Sequence, residues 1–234
     1  MIDLAILCEG KTERTFAETL LAPHFEGFGV RTDAVEIGIP NIQHGGGVTF
    51  GRVLRDVKLL LSDHEFVTTL VDFFKLGKGW RGINDCTCEM TTAQKAESVE
   101  CAALEDAKTK LEISDIGQRF IPNVLMHEFE GLLFTDPEVI VEITRAVNAK
   151  PDLLEVAAQF VSPEDINSGD APSKRLVACG ANYGKAAHGA RIAKAIGLPA
   201  IRGKCPHFDA WMGRIEGLEY GWLPDLSIQG DVRN

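Results

Sequence analysis

The stretch Ile2-Asp3-Leu4-Ala5-Ile6-Leu7-Cys8, followed at once by Glu9-Gly10-Lys11-Thr12-Glu13, constrains the fold more than any other part of the chain. An apolar run broken only by Asp3 reads as a buried parallel strand. Gly10 permits a tight turn at its end, and Thr12 is placed to cap the helix that follows. Glu9 falls at the strand's carboxyl end, where open α/β sheets hold their ligands. A carboxylate buried there is costly as a bare anion and needs a proton or a cation. A divalent cation is the expectation; the alternative is that Glu9 and Glu13 merely complement a helix dipole. Gly10-Lys11-Thr12 looks like the tail of a phosphate-binding loop, but Ala5 stands where that motif needs its first glycine.

The same pattern continues downstream. Phe16, Leu20, Leu21 and Phe25 recur at helical spacing, and Gly27 and Gly29 close that helix. Residues 30–39 read as a second strand and His44-Gly45-Gly46-Gly47 as a flexible loop. Phe50, Val53, Leu54, Val57, Leu60 and Leu61 mark one face of an amphipathic helix. A third apolar strand, 66–71, ends on Asp72, so parallel neighbours would bring Glu9 and Asp72 to one rim, as a hard cation requires. The loop from Phe73 to Trp80 either packs or serves as a lid. A helix is expected over 93–111, and Cys86, Cys88 and Cys101 near its start lack the paired spacing of structural zinc. Residues 120–126 form a fourth strand, made irregular by Pro122. His127-Glu128-Phe129-Glu130 is the third acidic cluster at a strand end. On a helix Glu128 and Glu130 diverge, so only one of them reaches the same metal directly, while the other orients His127 or binds through water.

Beyond residue 135 the periodicity is helical. The chain is therefore expected to be an α/β Rossmann-like unit of about four mainly parallel strands (1–135), with a helical, basic extension (136–234) packed on it. The net charge is −10, yet between Lys174 and Arg214 eight basic residues face a single acid, Asp209. That asymmetry suggests a basic face for phosphates beside an acidic face for metal ions. Lys11, Lys174, Arg175, Lys185, Arg202 and His207 are the candidate substrate-binding side chains. Six cysteines without paired spacing suit reduced cytosolic thiols, and no segment reads as a signal peptide or membrane span, so a cytoplasmic protein is expected.

As a set, E-G-K-T-E at 9–13, Asp72, H-E-F-E-G-L-L-F at 127–134, P-S-K-R at 172–175 and C-P-H-F-D-A-W at 205–211 resemble an uncharacterised bacterial family of Toprim-like proteins, across nearly the whole chain. More remotely the chain is similar to the Toprim domains of topoisomerases, primases and OLD-type nucleases, which arrange a glutamate after the first strand and an Asp-x-Asp after the third around Mg²⁺. The resemblance implies that Glu9 is that glutamate and Asp72 the first aspartate. Phe74 stands where the second aspartate would be. Glu128 or Glu130 would then supply the missing oxygen ligand; otherwise the fold is a shell without catalysis. The implied activity is a Mg²⁺- or Mn²⁺-dependent nuclease acting on DNA or RNA. Glu9, Glu13, Asp72, Glu128 and Glu130 would be metal ligands, and the catalytic set would be Glu9 and Asp72, through the metal they hold, with Lys174 and Arg175 pairing with the phosphate. By analogy with anti-phage systems, the resemblance also implies a separately encoded ABC- or AAA-type ATPase as partner, with a homodimer open. The rival expectation is a noncatalytic regulatory or nucleic-acid-binding subunit of such an ATPase complex.

Overall fold

The computed structural model describes residues 1–38, 48–77, 79–167 and 170–218, and the expected glycine loop at 44–47 lies outside them. The centre of the molecule is a parallel sheet. Strand β1 (Ile2–Cys8) pairs on one side with β2 (Val30–Glu36) and on the other with β3 (Phe66–Asp72). β3 in turn pairs with β4 (Phe120–Ile121) and β5 (Val124–Leu125), giving the order β2-β1-β3-β4. Successive side chains of a strand point to opposite faces. Accordingly Leu4, Ile6 and Cys8 enter one apolar cluster and Ala5 and Leu7 the other, all fully buried. This two-sided burial is why β1 reads as a continuous apolar run.

Helix α1 (Lys11–Phe16), a π-helical turn (Ala17–Leu21) and α2 (Ala22–Glu26) run on as one segment, whose Phe16, Leu21 and Phe25 cover the first face. The second face is covered by α3 (Phe50–Leu60) and α4 (Thr92–Lys110), with α5 (Ile116–Arg119) leading into β4. α4 starts with a reciprocal cap: Thr91 Oγ1 accepts from the Gln94 amide while the Gln94 side chain accepts from the Thr91 amide. After β5 come α6 (Glu130–Leu133), α7 (Pro137–Thr144), α8 (Lys150–Ala158), α9 (Pro172–Ala178), α10 (Lys185–Ile196), α11 (Leu198–Lys204) and α12 (Pro206–Glu216). Their Leu132, Ile140, Leu153, Leu176, Ile192 and Trp211 share a cluster with Leu4 and Ile6. Trp211 is fully buried, and its indole N–H donates to Thr68 Oγ1 of β3 at 2.9 Å. The helical second half is thus seated directly on the sheet.

Three local expectations are refined. β2 stops at Glu36, ahead of Gly38, whose φ of 112° takes the chain out of extended geometry. Thr12 does not cap α1: the capping position belongs to Gly10, and Thr12 lies inside the first turn, buried. The fourth strand is split in two at Pro122-Asn123. There the Thr69 hydroxyl donates to Asn123 O at 2.7 Å and accepts from its amide at 2.9 Å, so a side chain bridges the gap in the ladder. Trp80 answers the choice between lid and packing. It is buried, stacks near Phe50 at 4.7 Å and donates to Val48 O at 2.9 Å.

Candidate functional site

Between β1 and β3 the winding of the sheet changes direction, since the connection from β1 runs to β2 on one side and the return to β3 crosses to the other. Ligands of doubly wound sheets bind beyond the strand ends at such a crevice. Glu9 and Asp72 end the two strands that flank it, and Glu9 Oε2 accepts from the Asp72 amide at 3.1 Å. Asp72 is fully buried; its Oδ1 accepts from the Phe129 amide at 2.7 Å and its Oδ2 lies 3.2 Å from Lys185 Nζ. Two more buried carboxylates reach the same ammonium: Glu13 Oε1 at 2.9 Å and Glu130 Oε2 at 3.6 Å. Both oxygens contact Lys185 at ion-pair distance but lack a well-directed hydrogen bond. Glu130 Oε1 accepts from the Tyr183 hydroxyl at 3.0 Å.

Four carboxylates around one ammonium leave negative charge in excess. Burial raises the Asp72 pKa well above the ordinary carboxylate range; Lys185 opposes the shift, while Glu9, Glu13 and Glu130 add to it. Burial likewise raises Glu9 and Glu130. Burial works against the Lys185 charge, but Asp72, Glu130 and Glu13 outweigh it and hold the ammonium firmly protonated. Tyr183 is raised by burial and by Glu130, so its phenol stays a donor.

Lys185 arrives because α10 packs directly on α1. Gly189, one turn along α10, has no Cβ; a Cβ there would stand 2.7 Å from Thr12 Cγ2 and 3.0 Å from Tyr183 Oη. Glycine is required here for close approach of the backbone. Lys185, expected from the sequence to bind substrate as part of the basic stretch, therefore sits inside the acidic rim.

A cleft of about 560 Å³ opens beside the cluster, lined by Lys75, Glu128, Glu130, Lys174, Tyr183 and Lys185 among others. Glu128 lines it but contacts a different partner from the Lys185 group: its Oε2 accepts from the Ser173 amide at 2.9 Å. Glu130, two residues on, is the one that joins the cluster. Lys174 lines the cleft, while Arg175 stacks its guanidinium over Phe160 at 5.4 Å and donates to Asp170 O. Lys11 is exposed on the first turn of α1. Arg202 and His207, also expected to bind substrate, are not among the residues that line this cleft. Arg202 binds Asp209 and Glu216, tying α11 to α12. His207 Nε2 meets Glu100 Oε1 at 3.0 Å and Val124 O at 3.2 Å, and Arg214 reaches the same Glu100. Burial disfavours the His207 imidazolium, yet the Glu100 charge prevails and raises its pKa. Much of the basic stretch is thus occupied by partners within the chain rather than arrayed as one open face.

The geometry adds residues that composition did not single out. Tyr183 fixes Glu130, and Lys75 brings a cation to the cleft directly after Asp72 and the Phe73-Phe74 pair. His127 has φ 66°, a left-handed conformation uncommon for residues other than glycine. It is buried with neither ring nitrogen hydrogen-bonded, and burial lowers its pKa to about 4. Among the described residues no group of three or more His, Cys, Asp or Glu is arranged to hold a metal ion as it stands, and this includes Cys86, Cys88 and Cys101. None of the described helices is long and apolar enough to cross a membrane.

Fold and site together define a parallel, Rossmann-like α/β protein with a carboxylate-rich rim at the turning point of its sheet. The chain belongs to the family described as Domain of unknown function (DUF4276), whose model matches residues 8–216 and so spans both the rim and the helices that supply Lys185. No curated protein and no solved structure matches it.

Proposed function

We propose that this protein is a divalent-cation-dependent phosphodiesterase acting on nucleic acid, built on a Toprim-like arrangement. The observation that carries the reading is the convergence of Glu9, Glu13, Asp72 and Glu130, from three sequence-distant segments, at the β1/β3 crevice. Hard oxygen donors in excess of the positive charge around them fit Mg²⁺ or Mn²⁺ in kind. Glu9, Asp72, Glu13 and Glu130 would hold the ion, with Glu128 adjoining across the cleft. When bound, such an ion lowers the pKa of an attacking water and polarises a phosphoryl oxygen. Lys75 and Lys174 on the cleft wall would pair with the phosphate as point charges, contacts that carry no sequence information. Lys185 would release the carboxylates and join them. Cleavage of labelled single-stranded DNA, duplex DNA and structured RNA, titrated with Mg²⁺ and Mn²⁺, tests this. Turnover that disappears in Glu9→Gln and Asp72→Asn supports it; metal-independent binding without turnover refutes it.

One observation favours a second reading, a noncatalytic nucleic-acid-binding or regulatory subunit of a separately encoded ATPase complex. The Lys185 ammonium already stands where a cation would, neutralising part of the rim from within. In that reading metals leave the melting temperature unchanged.

A further inference from the structure

Phe74 is the feature the proposed chemistry does not use. It occupies the position where the Toprim resemblance implies a second acid, and it is 45% exposed although it directly follows the buried Phe73. Its backbone is anchored by a hydrogen bond from its amide to His127 O at 3.0 Å. One side of the ring is backed by the His127 imidazole, centroids 4.8 Å apart and tilted 40°, and Phe73 lies against the same imidazole at 6.1 Å. Being neutral, that imidazole presents an uncharged aromatic surface. Phe74 thus has one supported side and one side open to solvent, between two segments that reach the cleft: Lys75 on its own turn and Glu128 next to His127. Lys174 lines the same cleft, and Val177, also exposed, adds an apolar surface to its wall.

An exposed, backed aromatic ring beside lysines is the chemistry that holds unpaired nucleobases: the ring stacks on the base while the cations follow the phosphates. Bases inside a duplex have no free face to offer it. We infer that Phe74, supported by His127 and adjoining Lys75 at the edge of the cleft that Lys174 also lines, is a stacking platform for an unpaired base, so that the ligand class of this cleft is single-stranded nucleic acid. The inference rests on the phosphodiesterase reading for the position of the reacting phosphate, and on the platform geometry for the strand.

Fluorescence anisotropy in EDTA, which holds cleavage off, measures binding of a labelled 12-nucleotide single strand and of its duplex to the whole protein. Phe74→Ala should weaken single-strand binding by roughly tenfold, ~1.4 kcal/mol, and leave duplex binding unchanged. Phe74→Trp should keep wild-type affinity, with its indole emission quenched by the strand. An unchanged melting temperature in both variants assigns the loss to the ring rather than to folding. Equal single-strand affinity of Phe74→Ala and wild type, or duplex bound as tightly as single strand, overturns the platform. Metal-dependent cleavage indifferent to Phe74 and to strandedness would sink the platform alone. Phe74-dependent strand binding without turnover under any metal would sink the hydrolytic reading alone.

Discussion

Replacing Lys185 by Met keeps most of the apolar stem and removes the only positive group within reach of Glu13 Oε1, Asp72 Oδ2 and Glu130 Oε2 among the described residues. Three carboxylates that are at most 2% exposed then face one another unpaired, with Glu9 beside Asp72. Removing one partner of a buried ion pair costs about 3–5 kcal/mol. The Lys185 side chain is 37% exposed, so its attraction is partly screened and the expected loss is nearer 2–3 kcal/mol. In a chain of this length each kcal/mol moves the melting temperature by about 2–4 °C, which predicts a fall of roughly 4–12 °C in EDTA. The loss should be recoverable in two independent ways. Mg²⁺ or Mn²⁺ at about 100 times its dissociation constant adds ~2.7 kcal/mol of stability, and it should raise the variant more than wild type, where Lys185 competes. Adding Glu13→Gln to Lys185→Met removes one of the stranded charges and should restore part of the melting temperature without metal. Differential scanning fluorimetry across a metal titration reads all three. A variant that melts like wild type in EDTA, or metal that raises both proteins equally, would refute the idea that Lys185 and a divalent cation share one position.

Gly189→Val places a side chain where even a Cβ meets Thr12 Cγ2 at 2.7 Å. Overpacking of this kind costs about 1–3 kcal/mol, and by levering α10 from α1 it should abolish metal-dependent cleavage at temperatures where the fold persists, as checked by circular dichroism alongside the activity assay. His127 is neutral in the fold down to about pH 4, against an ordinary value of 6.5. Between those values the unfolded chain binds a proton that the native chain does not. His127 therefore withdraws stability progressively as pH falls from 6.5 towards 4, about 3 kcal/mol in all, and has no effect above that window. Urea denaturation of wild type and His127→Asn at pH 7 and pH 4.5 should show the variant losing less on acidification; parallel losses would contradict the assignment.

The strands and their order of burial were legible because periodicity records which faces meet apolar neighbours. The run from Leu4 to Cys8 announces two-sided burial, and Glu9 and Asp72 announce strand ends, without knowledge of any contact. Pro122 likewise marked the break between β4 and β5, since it has no N–H to give to a ladder. Glu13 and Glu130 were legible as acids near strand ends, but only the fold selects Glu130 over Glu128, because the turn into α6 sends the first toward Lys185 and the second toward the Ser173 amide. The basic stretch misled for a physical reason: charge counted along a helix says nothing about which cations find carboxylates. Arg202 and Arg214 are bound to Glu216 and Glu100, and His207 to Glu100, through contacts more than a hundred residues apart in two of these three cases.

By itself the sequence determined the parallel sheet, its buried strands and the presence of acids at their carboxyl ends, all properties of local pattern and composition. Only the tertiary structure decided that Lys185 enters the acidic rim, that Gly189 lets it do so, and that His127 backs an exposed Phe74. Those depend on how closely α10, α1 and the β5–α6 turn approach one another, and close approach is a property of packed surfaces in three dimensions that no spacing along the chain encodes.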